Sequence, residues 1–552
     1  KAKCSSVLID KKFFMGDGHM YEKAMRLINE EQDYLGALEE IIRLEKEGAK
    51  DDAFFVLKAS IFEALGYRKE EIQAIATGMK VNHKNYELFY MLGLYFLDSN
   101  FNKAYLCFEN ALWYLDMKIK EVAEQEEKER EPELIKREAS DEDNECKKKL
   151  SDLEADREQI SGMLDALRTR SDVDVRNISF VILSYNNNGY MQECLEAIRD
   201  YCDPSIYEIV VVDNGSTDGV VDYLRMQDDI ALIENDKNVG YPVGNNMGLR
   251  SCNPQNDVFF LNNDAVLTPN ALFWMRMGLY EDRNVGAVGA ISNNAMVQNV
   301  YDFLNDNREN KAIQMPVSER GGTYEEWLDY AICRNIINTN PYENRCVLNG
   351  FALLIRRETI HKVLIDGKLF DESFSPAFFE TDDLGIRITK AGYRQMMVHN
   401  AFVYHYGGIG YEGDEDAIEK SRITFADKWG FDPWEYEAPA DEILDWIADA
   451  RTAPLRVLEV GCGMGVTLSK LKYRYPNSYV CGVEFRSDIA GLGRYMVDDM
   501  KCEQLMNFYE AYPKHSFDYI IISDVMRGAP DDVKLSLEEG IAELLKEGGR
   551  FL

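Results

Sequence analysis

Apolar residues recur at intervals of three and four along residues 1–116, and this segment contains no proline. Such spacing predicts a series of amphipathic helices. Small residues within the pattern would let neighbouring helices approach closely. Three triplets share the spacing +4, +3 and start 37 and 30 residues apart, namely Ala37/Ile41/Leu44, Ala74/Gly78/Val81 and Ala104/Phe108/Ala111.

These triplets resemble those of tetratricopeptide repeats, whose period is about 34 residues. The resemblance implies a stacked helical array that binds a protein or peptide, and a helical packing module without a ligand is the alternative. Residues 117–175 then change to mixed charge with few large apolar side chains. That composition predicts a charged, solvated helical linker or hairpin, interrupted at Pro132.

Apolar strands alternate with amphipathic helices from residue 178 onwards, and each strand ends in polar residues. This pattern predicts a mostly parallel sheet with helices on both faces. Ligands of such sheets bind beyond the carboxyl ends of the strands, so the polar clusters together predict one ligand site. The four clusters are Ser184–Asn186, Asp213–Asp218, Asn238–Asn246 and Asn262–Asp264.

The net charge of −35 over 552 residues argues against nucleic-acid binding, which needs clustered basic side chains. An anionic ligand would need a local cation, a helix N-terminus or one well-placed arginine. The eleven cysteines form no CxxC pair. They therefore favour neither a disulfide framework nor a zinc site, and they fit a cytoplasmic location. No apolar run is long enough to predict a membrane span.

The strand ends carry chemistry that is suited to a phosphorylated ligand. The segment has neither a GxGxxG fingerprint nor a lysine-bearing phosphate loop. A divalent cation on Asp264 would hold a diphosphate instead. Asp213 is suited to accept hydrogen bonds from a uracil or a ribose. Gly240, Gly244 and Gly248 would let the backbone approach the ligand, although a glycine-rich loop before a helix needs no ligand.

Seven motifs in a fixed order resemble the inverting glycosyltransferases of family 2, particularly the rhamnosyltransferase-like branch. The resemblance implies a GT-A fold, a nucleotide-diphosphate sugar of uridine or deoxythymidine type, and an Mn²⁺ or Mg²⁺ ion. It also implies a protein, peptide or glycan acceptor. The motifs are SYNN, VVDNGSTD, NVGYPVGNN, LNND, LNGFALLIRRE, FFETDDLGIRITKAGY and VYHYGG.

The resemblance assigns roles to individual residues. The family's strand-end DxD motif reads Asn262-Asn263-Asp264 here, so the acid that contacts the metal is retained, and His405 matches the family histidine that ligates it. The acceptor is assigned to Asn349, Gly350 and Phe351. The nucleotide sugar is assigned to Ser184, Tyr185, Asn186, Asp213, Asn214, Asn238, Gly240, Asn245, Asn262, Asn263 and Asp264.

The general base does not follow directly from the resemblance. The family pattern is Glu-Asp-x-Asp-Leu, with the second residue commonly taken as the base, and Thr381 occupies that position here. Threonine cannot act as the base. We therefore expect the catalytic carboxylate among Asp382, Glu380 and Asp383, and Asp382 is favoured narrowly over Glu380.

Residues 441–552 resemble S-adenosylmethionine-dependent methyltransferases through RVLEVGCGMGVTLSKLKYRYP. The match stops before the family's last two strands, so we expect a truncated domain and infer no methyl transfer. The resemblance implies that S-adenosylmethionine is the cofactor of this domain. It is assigned to Glu459, Gly461, Gly463, Gly465 and Glu484, the last of which would hold the ribose hydroxyls.

The expected fold class is therefore multidomain. All-α helical repeats (1–116) and a charged helical linker (117–175) precede an α/β GT-A domain (176–440) and a partial Rossmann-like methyltransferase domain (441–552). The expected function is metal-dependent inverting sugar transfer to an acceptor hydroxyl. The alternative is a non-catalytic scaffold with a degenerate site, because Asn262 and Thr381 depart from the family pattern.

Overall fold

A computed structural model describes residues 20–129, 141–300, 323–407, 415–436, 438–504, 507–522 and 531–552. Pro132 and the last glycine of the VYHYGG motif lie outside the described residues. The chain divides into two compact units, residues 1–175 with 336–338, and residues 176–335 with 339–552. Within the described ranges, no helix has the length and apolar character that a bilayer crossing requires.

The first unit is helical, as the sequence predicts. Its helix starts follow from side chains that accept hydrogen bonds from free backbone N–H groups. Asp51 accepts from Phe54 N at 2.7 Å, and Asn85 accepts from Leu88 N at 3.1 Å. The helices are α1 (Glu22–Asn29), α2 (Tyr34–Lys46), α3 (Asp52–Leu65), α4 (Arg68–Val81), α5 (Tyr86–Leu97), α6 (Phe101–Glu129) and α7 (Asp141–Arg168).

The small residues of the predicted pattern lie where helices approach closely. A Cβ atom on Gly78 would lie 2.9 Å from both Phe55 and Leu88. Ala37, Ala104 and Ala111 are fully buried. The prediction for Val81 is wrong, because this last residue of α4 is 51% exposed.

The mixed-charge segment packs more closely than its composition suggests. Helix α6 runs without interruption through residue 116, so the predicted boundary falls inside a helix. Leu153, Ile160 and Leu164 of α7 are buried. Asp156, on the same helix, accepts a hydrogen bond from the hydroxyl of Tyr86 at 2.7 Å. One face of α7 therefore belongs to the helical unit.

The second unit contains an eight-stranded sheet in the order β3-β2-β1-β4-β8-β6-β9-β7. Strands β1 to β4 are parallel, as predicted, but β8 runs antiparallel to both β4 and β6, and β7 runs antiparallel to β9. The sheet is therefore mixed. The strands are β1 (Ile178–Ser184), β2 (Tyr207–Asp213), β3 (Ile230–Glu234), β4 (Asp257–Asn262), β6 (Val285–Ile291), β7 (Tyr342–Arg345), β8 (Ala352–Ile355) and β9 (Arg394–Phe402).

Two further sheets complete this unit. Strands β5 (Ala265–Val266) and β10 (Tyr404–His405) form an antiparallel pair. The third sheet is wholly parallel, in the order β13-β12-β11-β14-β15. Its strands are β11 (Arg456–Val460), β12 (Tyr479–Glu484), β13 (Asp499–Cys502), β14 (Phe517–Ile522) and β15 (Leu545–Phe551).

Helices connect these strands. Those around the first sheet are Asn188–Tyr201, Val220–Arg225, Tyr241–Ser251, Ala271–Leu279, Tyr324–Arg334, Arg357–Val363, Glu380–Lys390 and Glu415–Trp429. Those near the third sheet are Asp441–Leu444, Val466–Arg474, Ser487–Gly493 and Asp531–Leu544. Short 3₁₀ turns lie at Glu372–Phe374, Pro433–Glu435 and Phe508–Ala511.

Gly93 provides a test of the close helix packing in the first unit. A Cβ atom there would lie 2.5 Å from the Phe108 ring, whereas one on Gly162 in α7 would meet nothing within 4 Å. We expect Gly93→Ala to lower the free energy of unfolding by about 1–3 kcal/mol, through overpacking. Gly162→Ala should be neutral or stabilising by up to about 1 kcal/mol. Urea denaturation followed by circular dichroism measures both, and equal effects would contradict the packing argument.

Candidate active site

A cleft of about 510 Å³ opens at the carboxyl ends of the parallel strands. Its walls come from the loops after β1, β2 and β4, from the segment before β8 and from the first turn of the helix Glu380–Lys390. The lining residues that the sequence singled out are Tyr185, Asn214, Asn238, Asn262, Asn263, Asp264, Asn349, Gly350, Phe351, Glu380, Asp382 and His405. Residues predicted for the donor, the acceptor and the catalytic carboxylate thus share one cavity.

The loop after β2 is fixed by its own polar side chains. Asp213 is 1% exposed, and its carboxylate accepts hydrogen bonds from the backbone of Gly215 and Ser216 and from the Ser216 hydroxyl. Asn214 donates to the Asn238 side chain at 3.2 Å. Asp213 therefore shapes the loop, whereas Asn214 and Asn238 border the cleft.

The remaining residues predicted for the donor support the cleft without lining it. Ser184 is fully buried at the end of β1. Asn186 has φ +58°, and its side chain accepts from Thr217 N at 2.9 Å. Asn245 donates to the carbonyl of Tyr241 at 3.0 Å. Gly240 has φ +87°, and a Cβ there would lie 2.8 Å from the Pro376 carbonyl oxygen, so only glycine fits.

Asp264 and His405 meet at one wall of the cleft. His405 Nε2 lies 3.3 Å from Asp264 Oδ1, and Asp264 Oδ2 accepts from Gly407 N at 3.1 Å. His405 Nδ1 lies 2.6 Å from the Asn294 carbonyl oxygen. A carbonyl oxygen can only accept, so Nδ1 carries the proton and Nε2 is the nitrogen that faces the carboxylate.

The electrostatics of this pair favour positive charge at this wall of the cleft. Burial works to lower the pKa of His405, but the hydrogen bond and charge of Asp264 outweigh it and raise the pKa. The pair offers one carboxylate oxygen and one imidazole nitrogen at the cleft, and Mn²⁺ or Mg²⁺ bound to nucleotides commonly takes few protein ligands besides phosphate oxygens. Among the described residues, no cluster of three or more His, Cys, Asp or Glu side chains could hold a metal ion. The donor set fits an ion that is shared with a phosphorylated substrate.

The carboxylates at the start of the helix Glu380–Lys390 have different environments. Glu380 is 7% exposed, and its Oε2 atom has no hydrogen-bond partner. Burial, with the nearby charges of Asp382 and Asp383, raises the pKa of Glu380 to about 8. Asp382 also lines the cleft and is partly exposed to solvent.

Asp383 lies away from the cleft, although the sequence grouped it with the catalytic carboxylates. It is fully buried and bonds to Arg387 at 2.9 Å, Lys428 at 2.6 Å and the Trp429 indole at 3.0 Å. These contacts fix the first turn of the helix. Asp383 therefore orients the turn that carries Glu380 and Asp382.

The segment predicted for the acceptor contacts both sides of the cleft. The Gly350 carbonyl accepts from the Tyr241 hydroxyl at 3.1 Å. A Cβ on Gly350 would lie 2.6 Å from that hydroxyl and 2.9 Å from Thr381 Cγ2, so a larger residue would displace both. Phe351 stacks on the His405 ring with centroids 5.0 Å apart.

The cleft is poor in positive charge. Asp264, Glu380 and Asp382 line it, and no lysine or arginine is among the described lining residues. Among the described residues that line the cleft, His405 is therefore the side chain that can carry a positive charge. A bound diphosphate would need a further cation.

Sequence reasoning missed several lining residues. Tyr241 and Asn187 stand next to predicted residues, so motif adjacency offered a signal for them, and Thr381 was noted only as a residue that cannot be the base. No motif marked Met296 or Trp434, which the fold brings in from distant parts of the chain.

The glycine turn after β11 has the predicted backbone but is covered by a protein side chain. Gly461, Gly463 and Gly465 all have positive φ. A Cβ on Gly463 would lie 2.7 Å from the Tyr436 ring, so this ring packs directly on the turn. Buried Glu459 lies in β11, before the turn.

Glu484, the acid predicted to hold ribose hydroxyls, is engaged by backbone groups. Its carboxylate accepts from the N–H groups of Gly463, Phe485 and Arg486 at 2.8–2.9 Å. With Tyr436 on the turn, these residues do not fit S-adenosylmethionine in the described structure.

Comparison with known proteins bears on the first α/β segment. Residues 179–363 match the family model described as Glycosyl transferase family 2. A stretch of 101 residues, 17% of this chain, is 28% identical to "Uncharacterized protein RP028" of Rickettsia prowazekii (strain Madrid E). The chain spans 40% of the length of that curated relative.

Two solved structures show partial likeness. The mannosyltransferase PcManGT from Pyrobaculum calidifontis, in complex with GDP-Man and Mn²⁺, is 14% identical, with a TM-score of 0.34 over 67% of this chain and 80% of its own. PKMT2 from Rickettsia typhi, in complex with AdoHcy, is 25% identical, with a TM-score of 0.17 over 19% of this chain and 21% of its own. Residues 179–363 therefore carry a match to a family 2 glycosyltransferase domain.

The covered glycine turn makes a direct prediction for cofactor binding. We expect S-adenosylmethionine titrated into the whole protein to release no binding heat in isothermal calorimetry, because Tyr436 occupies the face of Gly463. Tyr436→Phe should behave identically, since it keeps the ring. Saturable binding to the parent protein with a micromolar dissociation constant would contradict the assignment.

Proposed function

We propose that this chain is a metal-dependent inverting glycosyltransferase of GT-A fold. It would move a sugar from a nucleotide-diphosphate sugar of uridine or deoxythymidine type to an acceptor hydroxyl. One observation carries the proposal: the Asp264–His405 pair and the carboxylates Glu380 and Asp382 line the same cleft, at the strand ends of a family 2 glycosyltransferase domain.

Asp264 and His405 would hold Mn²⁺ or Mg²⁺ at the wall of the cleft that they form. When bound, the ion neutralises charge on the leaving diphosphate. The chain itself orients the imidazole through Asn294 and fixes the carboxylate through Gly407. Asn214 and Asn238 supply amide groups for the nucleotide part of the donor.

The base role is assigned to Asp382. A general base must be ionised and within reach of the acceptor hydroxyl, and it typically contributes about 10²–10⁴ in rate. Asp382 lines the cleft with access to solvent, whereas the pKa of about 8 keeps Glu380 mostly protonated at neutral pH. Glu380 would then donate a hydrogen bond instead of accepting a proton.

The acceptor hydroxyl belongs to a glycan, a protein or a peptide. Asn349 to Phe351, which line the cleft, are assigned to the acceptor. The helical first unit, with its tetratricopeptide-like spacing, is proposed to bind a protein or peptide partner.

The proposed metal-binding role of Asp264 is tested by Asp264→Asn. This variant keeps the shape of the side chain and removes its charge, so we expect nucleotide-sugar turnover with Mn²⁺ to fall by about 10²–10³-fold. Release of nucleoside diphosphate from UDP- and dTDP-sugars, with Mn²⁺ and with EDTA, measures the effect. Asp228→Asn is the matched control, since this aspartate is exposed and lies outside the cleft lining. Equal release by parent and Asp264→Asn would contradict the role of Asp264, and no release by the parent above a protein-free blank would favour the non-catalytic scaffold.

The assignment of Asp382 as the base predicts how activity depends on pH. With Asp382 as base, Asp382→Asn should lower kcat/KM by about 10²–10⁴-fold. Ionisation of Glu380 adds negative charge beside the donor, so activity should fall as the pH rises through about 8. Glu380→Gln should remove that fall. If Glu380 were the base, kcat/KM would instead rise through the same pH range, and Glu380→Gln would be inactive.

A further inference from the structure

Trp434 is a large apolar side chain that the fold leaves exposed on the wall of the cleft. It is 49% exposed, while its neighbours Phe431 and Pro433 are buried. Single exposed apolar residues are common on protein surfaces. The location of this one is informative, because the indole lines the same cavity as Glu380 and Asp382.

The indole is held in a fixed orientation. The Arg422 guanidinium lies over its ring, 4.6 Å from the centroid. Arg422 is itself fixed by Asp432 at 3.0 Å and Glu419 at 2.7 Å. Asp432 also accepts a hydrogen bond from Trp434 N at 3.1 Å. The side chain therefore presents a rigid apolar surface, which costs a ligand little ordering entropy.

The third sheet anchors the segment that carries this indole. Phe431 packs in one buried cluster with Met464, which lies within the glycine turn, and Val466, which directly follows it. Tyr436 covers Gly463 and packs edge-on against Phe431 at 5.4 Å. Trp434 thus lies between two anchored aromatic residues, and the glycine turn acts as their support.

The chemistry around Trp434 selects a class of ligand. The Phe379 ring centroid lies 6.2 Å from that of Trp434, Met296 and Ile418 add apolar surface to the cleft, and Asn349 and Asp382 offer groups that bond to hydroxyls. A pyranose ring has an apolar C–H face and a rim of hydroxyls, which matches this combination. The described lining has no lysine or arginine, and Arg422 beside the indole is already paired with Asp432 and Glu419, so an anionic acceptor is disfavoured.

We propose that Trp434 is the acceptor-binding platform of the cleft and that the acceptor presents a neutral sugar ring to it. The inference rests on the proposed function, which requires an acceptor hydroxyl near Asp382. It goes further by naming a carbohydrate in place of a peptide and by assigning the third sheet the role of supporting the platform.

The test measures saccharide binding directly, on the whole chain. Saturation-transfer NMR would be recorded with methyl α-glucopyranoside, methyl α-mannopyranoside and the charged methyl α-glucuronide. We expect the neutral glycosides to bind the parent protein and the uronide to bind at least tenfold more weakly. Trp434→Ala should weaken neutral-glycoside binding roughly tenfold, and Trp434→Phe should retain most of it.

Trp446→Ala is the matched control, because this tryptophan is 63% exposed and does not line the cleft. It should bind the glycosides as the parent does. Unchanged binding by Trp434→Ala, equal binding of the uronide, or binding of a serine-rich peptide with no glycoside binding would each overturn the proposal. Circular dichroism of both Trp434 variants checks that they fold.

Donor hydrolysis by the parent protein separates the two hypotheses. If the parent releases no nucleoside diphosphate while glycosides still bind through Trp434, the proposed transferase activity fails and the saccharide site stands. If release is normal but the glycosides do not depend on Trp434, the platform fails and the transferase stands.

Discussion

The antiparallel pairing of β5 with β10 is the contact on which the cleft depends. In its register His405 lies opposite Ala265, and the ladder continues with the bond from Tyr406 N to the Asp264 carbonyl. These short strands are distant in sequence, yet they bring an imidazole nitrogen within 3.3 Å of a carboxylate oxygen. Asn293 holds the same ladder by bonding to both the N–H and the C=O of His405. Without this pairing, Asp264 would be an ordinary loop acid.

Charge then defines what the cleft can bind. The molecule carries −35, and the described lining contributes three carboxylates and no lysine or arginine. A nucleotide diphosphate entering such a site is repelled unless a cation accompanies it. In the proposed function the Asp264–His405 pair holds that cation, and the raised pKa of buried Glu380 limits the negative charge beside it. The proposed metal dependence rests on this balance of charge.

In the third sheet, the turn that resembles a cofactor-binding motif is packed against the protein itself. The glycine turn has the positive φ values that its sequence implies, but the Tyr436 ring covers the turn and backbone groups engage Glu484. The turn serves as a packing surface for the segment that carries Trp434. Lys428 and Trp429, just before that segment, also hold Asp383. One helix and the residues after it therefore support both the carboxylates and the proposed platform.

The sequence alone determined which segments form helices and strands, where the parallel strands end and which polar residues lie there. Asn214 and Asp264 follow from the strand pattern, because they stand where apolar strands end, whereas Glu380 was identified through the family resemblance. Only tertiary structure decided that β8 inserts antiparallel, that Asp213 and Asp383 are engaged by contacts within the protein, that Tyr436 covers Gly463 and that Trp434 lines the same cleft as Glu380 and Asp382. These outcomes depend on contacts between residues far apart in sequence, for which the spacing of apolar and polar positions along a single chain carries no signal.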